Sequence, residues 1–127
     1  MTELTKKFQK GVLKLAESME QGCKKTKKAS GAYIRGKPGA VQACALGAAL
    51  INGYSADSAL KTKAINAYEL VTKRFPVLYD TDAEGTKLAT EIVVRNDERR
   101  HTREKIVAWL RRVAKLSKMP LYWRDVK

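Results

Sequence analysis

Apolar residues recur at helical spacing along most of this chain. Leu4, Phe8, Val12, Leu15, Ala16 and Met19 take one side of the first segment and Lys6, Lys7, Lys10, Lys14 and Glu17 the other, which predicts an amphipathic helix from about Glu3 to Gly22. The cluster Lys24, Lys25, Lys27, Lys28 follows. Gly31, Gly36, Pro38 and Gly39 around Tyr33 and Ile34 then read as a loop with room for a short hairpin near residues 31–39. A second helix is expected from about Ala40 to Ile51. Its Ala43, Cys44, Gly47, Ala48 and Ala49 are small enough for neighbouring backbones to come close, so it is expected to be the buried central helix.

Asn52 and Gly53 suit a helix stop, and Ser55 or Asp57 suits the next N-cap, where a side-chain oxygen accepts free first-turn amides. Leu60, Ala64, Tyr68, Val71 and Phe75 form the stripe of a third helix ended by Pro76, with Val77, Leu78 and Tyr79 as an apolar connector. A fourth helix, about Ala83 to Arg95, would bury Leu88, Ala89, Ile92 and Val93 until Asn96 and Asp97 break it. Thr102 caps a fifth, whose stripe is Ile106, Val107, Leu110, Val113 and Ala114 before Pro120. The expected architecture is all-α, one compact domain over residues 1–127 with about five helices.

Length and composition agree with one core. At 127 residues, 44% hydrophobic and 31% charged, the chain is expected to fold alone or as a small oligomer. No run approaches the ~18 apolar residues of a membrane span and the start has no signal-peptide core, so a cytoplasmic location is expected. Cys23 and Cys44 form no CxxC pair and the single histidine, His101, completes no zinc set with them. Two free thiols and no cofactor follow.

Charge changes the picture most. The net +13 is carried by the ends: residues 1–40 hold +7, 41–80 hold +1 and 81–127 hold +5. A field of one sign this large attracts polyanions. Arg95, Arg99, Arg100 and Arg103 crowd the turn before the fifth helix. Within that helix Arg111, Lys115 and Lys118 follow at i, i+4 and i+7, with Lys105 and Arg112 beside them, opposite the apolar stripe. Lys24, Lys25, Lys27, Lys28, Arg35, Lys37, Arg99, Arg100, Arg103, Arg111, Arg112 and Lys115 are therefore the candidate residues for nucleic acid or phosphate. Tyr33, Trp109, Tyr122 and Trp123 are the aromatics to weigh as stacking partners for bases, with Tyr122 and Trp123 the better placed and Trp109 at the edge of the core stripe.

Other chemistry is weaker. Gly31 to Lys37 has the G-x-x-x-x-G-K spacing of a phosphate loop, but Pro38 stands where a magnesium-binding hydroxyl belongs and no strand precedes it. Cys44, among alanines, reads as a packed small hydrophobe, whereas Cys23 beside Lys24 and Lys25 reads as exposed and thiolate-prone. His101, near Asp97, Glu98 and Glu104, lies between helices and is expected on the surface. The turn from Asn96 to His101 exceeds the roughly three or four residues of a helix-turn-helix.

Gly31-Ala32-Tyr33-Ile34-Arg35-Gly36 followed by Ala43-Cys44-Ala45-Leu46-Gly47-Ala48-Ala49-Leu50 resembles a functionally uncharacterised family of small phage and bacterial proteins. Val94-Arg95-Asn96-Asp97, Thr102-Arg103-Glu104 and Ile106-Val107-Ala108-Trp109-Leu110 are similar to that family's N-D turn before a Thr-capped helix. The pieces cover about a fifth of the chain. Arg95 stands where an aromatic often precedes the N-D pair. The resemblance assigns no functional residue; it implies a phage or mobile-element accessory protein. The reading is a non-enzymatic basic protein that binds nucleic acid or a nucleic-acid-associated host target, with sequestration of a small phosphorylated signal as the alternative.

Overall fold

The computed structural model describes residues 6–51, 64–80, 82–83 and 86–127. The expected start at about Glu3, the stop at Asn52 and Gly53, the cap at Ser55 or Asp57, and Leu60 of the third stripe lie outside them. The first helix, α1 (Lys6–Cys23), buries Phe8, Val12, Leu15, Ala16 and Met19. It is followed by three strands, β1 (Lys27–Lys28), β2 (Ile34–Lys37) and β3 (Ala40–Ala43), and by helices α2 (Ala45–Ile51) and α3 (Ala64–Arg74). The short helix α4 (Val77–Asp80), the pair β4 (Asp82–Ala83) and β5 (Thr86–Lys87), and helices α5 (Leu88–Asp97) and α6 (Arg103–Val113) complete the series before a 3-10 turn at Trp123–Asp125.

The all-α expectation is therefore wrong: the domain is mixed α/β. Its larger sheet has the order β1-β3-β2, with β1 parallel and β2 antiparallel to β3. The error lies at Ala40–Ala43, whose small residues read as the first turn of a helix. Gly39, at φ +81°, supplies the left-handed backbone that turns β2 back onto β3. Beyond it Val41 and Ala43 are buried while Ala40 is exposed and Gln42 half-exposed, the two-residue period of a strand. Helix α2 begins only at Ala45, and all seven of its residues are buried.

The core forms where α1, α2 and α6 meet. A Cβ at Gly22 would lie 1.7 Å from the Ala48 carbonyl oxygen, so α1 and α2 touch backbone to backbone there. Two further boundaries differ from expectation: the fourth helix starts at Leu88 rather than Ala83, and Asn96 and Asp97 lie inside it. Val77 to Tyr79 belong to a helical turn. Trp109 and Trp123 are both buried, Trp123 stacking on Phe8 at 6.2 Å, which removes it from the stacking candidates. No helix among the described residues is long and apolar enough to cross a membrane.

Candidate functional site

The sheet gathers part of the predicted basic set on one face. Lys27 pairs with Gln42, and Gln42 pairs with Arg35 on the far side, so the three side chains form one cross-strand row. Arg35 Nε donates to Gln42 Oε1 at 2.8 Å, which locks the row. Lys37, two residues from Arg35, emerges on the same face at the hairpin end. A groove of about 480 Å³ runs beside the row, with Lys24, Lys25, Thr26 and Lys27 on one wall and Gly39 to Gln42 on the other. Lys24, Lys25, Lys27, Arg35 and Lys37 are exposed and make no ion pair among the described residues.

Lys28 points to the other side. Its Nζ donates to the His101 carbonyl at 2.7 Å and fastens the turn between α5 and α6 against β1. This places Arg99 and Arg100 next to the lysine segment. Arg99 shares its charge with Glu91 at 3.1 Å; Arg100, at φ +53°, is exposed. His101 sits half-buried among these cations. Burial first, then Lys105, Arg95, Arg99 and Lys28, hold its pKa below the usual histidine value and keep the imidazole neutral near pH 7.

The remaining predicted residues are elsewhere. Arg103 is 5% exposed and donates to Thr26 Oγ1, Thr26 O, Ala43 O and Cys23 O, so it is a structural tie rather than a surface cation. Arg111 is paired with Glu20 at 3.1 Å and approaches Glu17 at 4.0 Å. The pair lowers the Glu20 pKa and raises that of Arg111. Arg112 Nε donates to the Lys127 carbonyl, and Lys115 lies past the end of α6. The continuous basic face expected on the fifth helix is therefore interrupted, and the row on the sheet includes Gln42, which sequence reading missed. Strict alternation across Ala40–Ala43 was its only signal.

Asn96 and Asp97 build a second feature. Asn96, 1% exposed, accepts from Ala45 N and donates to Ala29 O and Asp97 Oδ1. Asp97 Oδ1 also accepts from Gly31 N at 3.1 Å. The amide that a phosphate loop would offer is thus engaged by a carboxylate, and Gly36 lies within β2. These contacts border a cavity of about 260 Å³ between the Gly31–Tyr33 loop, the start of α2 and the end of α5.

Neither thiol is activated. Burial raises the Cys44 thiol to about 11. Cys23, expected to be exposed and thiolate-prone, is half-buried, and burial outweighs the opposing influence of Arg103, raising it to about 11 as well. Alkylation at pH 7.5 should consequently be much slower for both than for a cysteine of ordinary pKa, with the rate rising only as pH nears 11. Rapid iodoacetamide labelling of the folded protein at pH 7.5, read by mass spectrometry, would contradict this. No cluster of three metal-ligating side chains occurs among the described residues.

Comparison of the chain with protein-family models, curated proteins and solved structures finds no match.

Proposed function

We propose that this protein is a non-enzymatic binding module for nucleic acid, held by the phosphate backbone against the cationic face of its sheet. The observation that carries this reading is the row Lys27–Gln42–Arg35, flanked by Lys37 and by the groove that Lys24 and Lys25 line. Exposed cations without a carboxylate partner among the described residues can neutralise phosphates and release the counterions of the nucleic acid, and Gln42 adds a polar group to the same row. The resemblance to small phage and bacterial proteins supports a setting in the host-cell cytoplasm, as a phage accessory protein acting on host machinery or defence. A small phosphorylated signal is less well supported, because Gly31 N already donates to Asp97.

The test is binding of labelled duplex DNA and single-stranded RNA across a salt series. The protein should bind with micromolar or tighter affinity at low salt and lose it steeply as salt rises. Reversing Lys25, Lys27 and Arg35 to Glu should weaken binding at least about a hundredfold and flatten the salt slope by roughly two to three. Absence of binding at low salt, or an unaffected triple variant, would refute the proposal.

A further inference from the structure

The cavity between the Gly31–Tyr33 loop, α2 and α5 has a composition that the cationic face does not explain. Its walls are mostly apolar, from Ala32, Leu46, Ile92 and Val93, and it carries one aromatic ring, Tyr33, one carboxylate, Asp97, and Asn96, whose amide is engaged by Ala45 N, Ala29 O and Asp97. Tyr33 lies 6.2 Å from Tyr68 at a tilted angle, which braces one side of its ring. Burial raises the Tyr33 hydroxyl to about 12, so it stays a neutral phenol. Asp97 Oδ1 is occupied by Gly31 N and Asn96 Nδ2, while Oδ2 has no hydrogen-bond partner among the described residues.

At about 260 Å³ the cavity falls just below the ~300 to 1,000 Å³ of sites for drug-sized ligands, which leaves room for one flat ring system. A carboxylate in such a place calls for hydrogen-bond donors. A cationic donor, such as a lysine side chain of a partner, would have to approach through the field of a +13 protein, with Arg35 donating at 3.3 Å to the carbonyl of Ser30, the residue before Gly31 of the cavity wall. A group with neutral donors and an anionic tail meets both demands. Nucleobases supply it, and among them guanine offers two adjacent donors, N1–H and the N2 amino group, on its Watson–Crick edge. Uracil and thymine flank their single donor with carbonyls that a carboxylate repels.

We infer that this cavity is a nucleobase pocket for an unstacked guanine, with Asp97 accepting from its Watson–Crick edge, Tyr33 against the ring and Arg35 beside the attached phosphate. The inference rests on the nucleic-acid reading above, and it adds a preference for single strands, whose bases can leave the stack.

A labelled octauridine and the same strand with one central guanosine test it by fluorescence anisotropy. The guanosine strand should bind roughly tenfold tighter, the discrimination of one good carboxylate–base pair. That preference should vanish in Asp97→Asn, which retains an amide oxygen for Gly31 N, and in Val93→Phe, which fills the cavity, while octauridine affinity stays the same in both. Equal binding of the two strands by the wild-type protein, or a preference that survives both variants, would overturn the pocket and leave the cationic face standing. Failure of both strands to bind would instead strike the nucleic-acid reading. In that case titration with the neutral nucleosides, followed by the amide shifts of Gly31 and Leu46, decides the pocket alone: shifts with guanosine and not uridine support it, and none with guanosine overturns it.

Discussion

Replacing Glu91 by alanine is expected to destabilise the domain by about 3–5 kcal/mol, the scale on which loss of one partner strands a buried charge. Glu91 is 5% exposed and its Oε2 accepts from Arg95 Nε at 2.7 Å and from Arg99 at 3.1 Å. Burial works against the Arg95 charge, and Glu91 is the largest influence that offsets it. Arginine does not escape by losing its proton, so without Glu91 the guanidinium remains charged inside the protein. The damage should spread to the C-terminal tail. Arg95 lies 4.0 Å over the Trp109 ring and donates to the Val126 carbonyl, which also receives Trp109 Nε1. Urea unfolding should give a lower midpoint, and hydrogen exchange should show residues 119–127 opening first. Glu91→Gln, which keeps an acceptor but not the charge, should lose less. A change below about 1 kcal/mol in the alanine variant would mean that Glu91 does not compensate a buried Arg95 charge.

The apolar stripes of α1 and α6 were legible because each helix is long and has one wet face, so that Val12, Leu15 and Met19, or Ile106, Leu110 and Val113, repeat with the helical period. The sheet was not. Its strands are two to four residues long, and β3 is built from alanine, valine and glutamine directly before an alanine-rich helix, where periods of two and of 3.6 cannot be separated. What distinguishes Ala43 from Ala45 is tertiary: Ala43 pairs with Ile34 and Lys28, and Asn96, far along the chain, accepts the Ala45 amide at the helix start. In the sequence the Asn96–Asp97 pair reads as a helix breaker. Its real work, joining Ala29, Gly31 and Ala45, requires contacts that no local rule encodes. The basic residues were visible as a set, but their division was hidden. Lys27 and Arg35 share a face because of register, whereas Arg111 is neutralised by Glu20 from another helix.

Arg103 is the sharpest case of that division, and its replacement by methionine separates the two roles. Arg103 opens α6, next to the Thr102 cap, and its guanidinium reaches Thr26 Oγ1 and Thr26 O at 2.7 Å, Ala43 O at 3.2 Å and Cys23 O at 3.4 Å. It therefore pins the end of α1, the approach to β1 and the end of β3 to a single point. Methionine fills similar length but donates nothing, so Thr26 O and Cys23 O lose the guanidinium and Ala43 O keeps only Ala29 N, with an expected loss of about 3 kcal/mol. Were Arg103 a phosphate contact, the same change would leave stability nearly intact and flatten the salt dependence of nucleic-acid binding by nearly one. The geometry requires the opposite result. Thermal unfolding should occur at a clearly lower temperature, while the folded variant keeps the wild-type salt slope and loses only the modest affinity that comes from a looser Lys24–Lys28 segment. Unchanged unfolding together with a flatter slope would return Arg103 to the binding surface and break the assignment of the sheet face as the site.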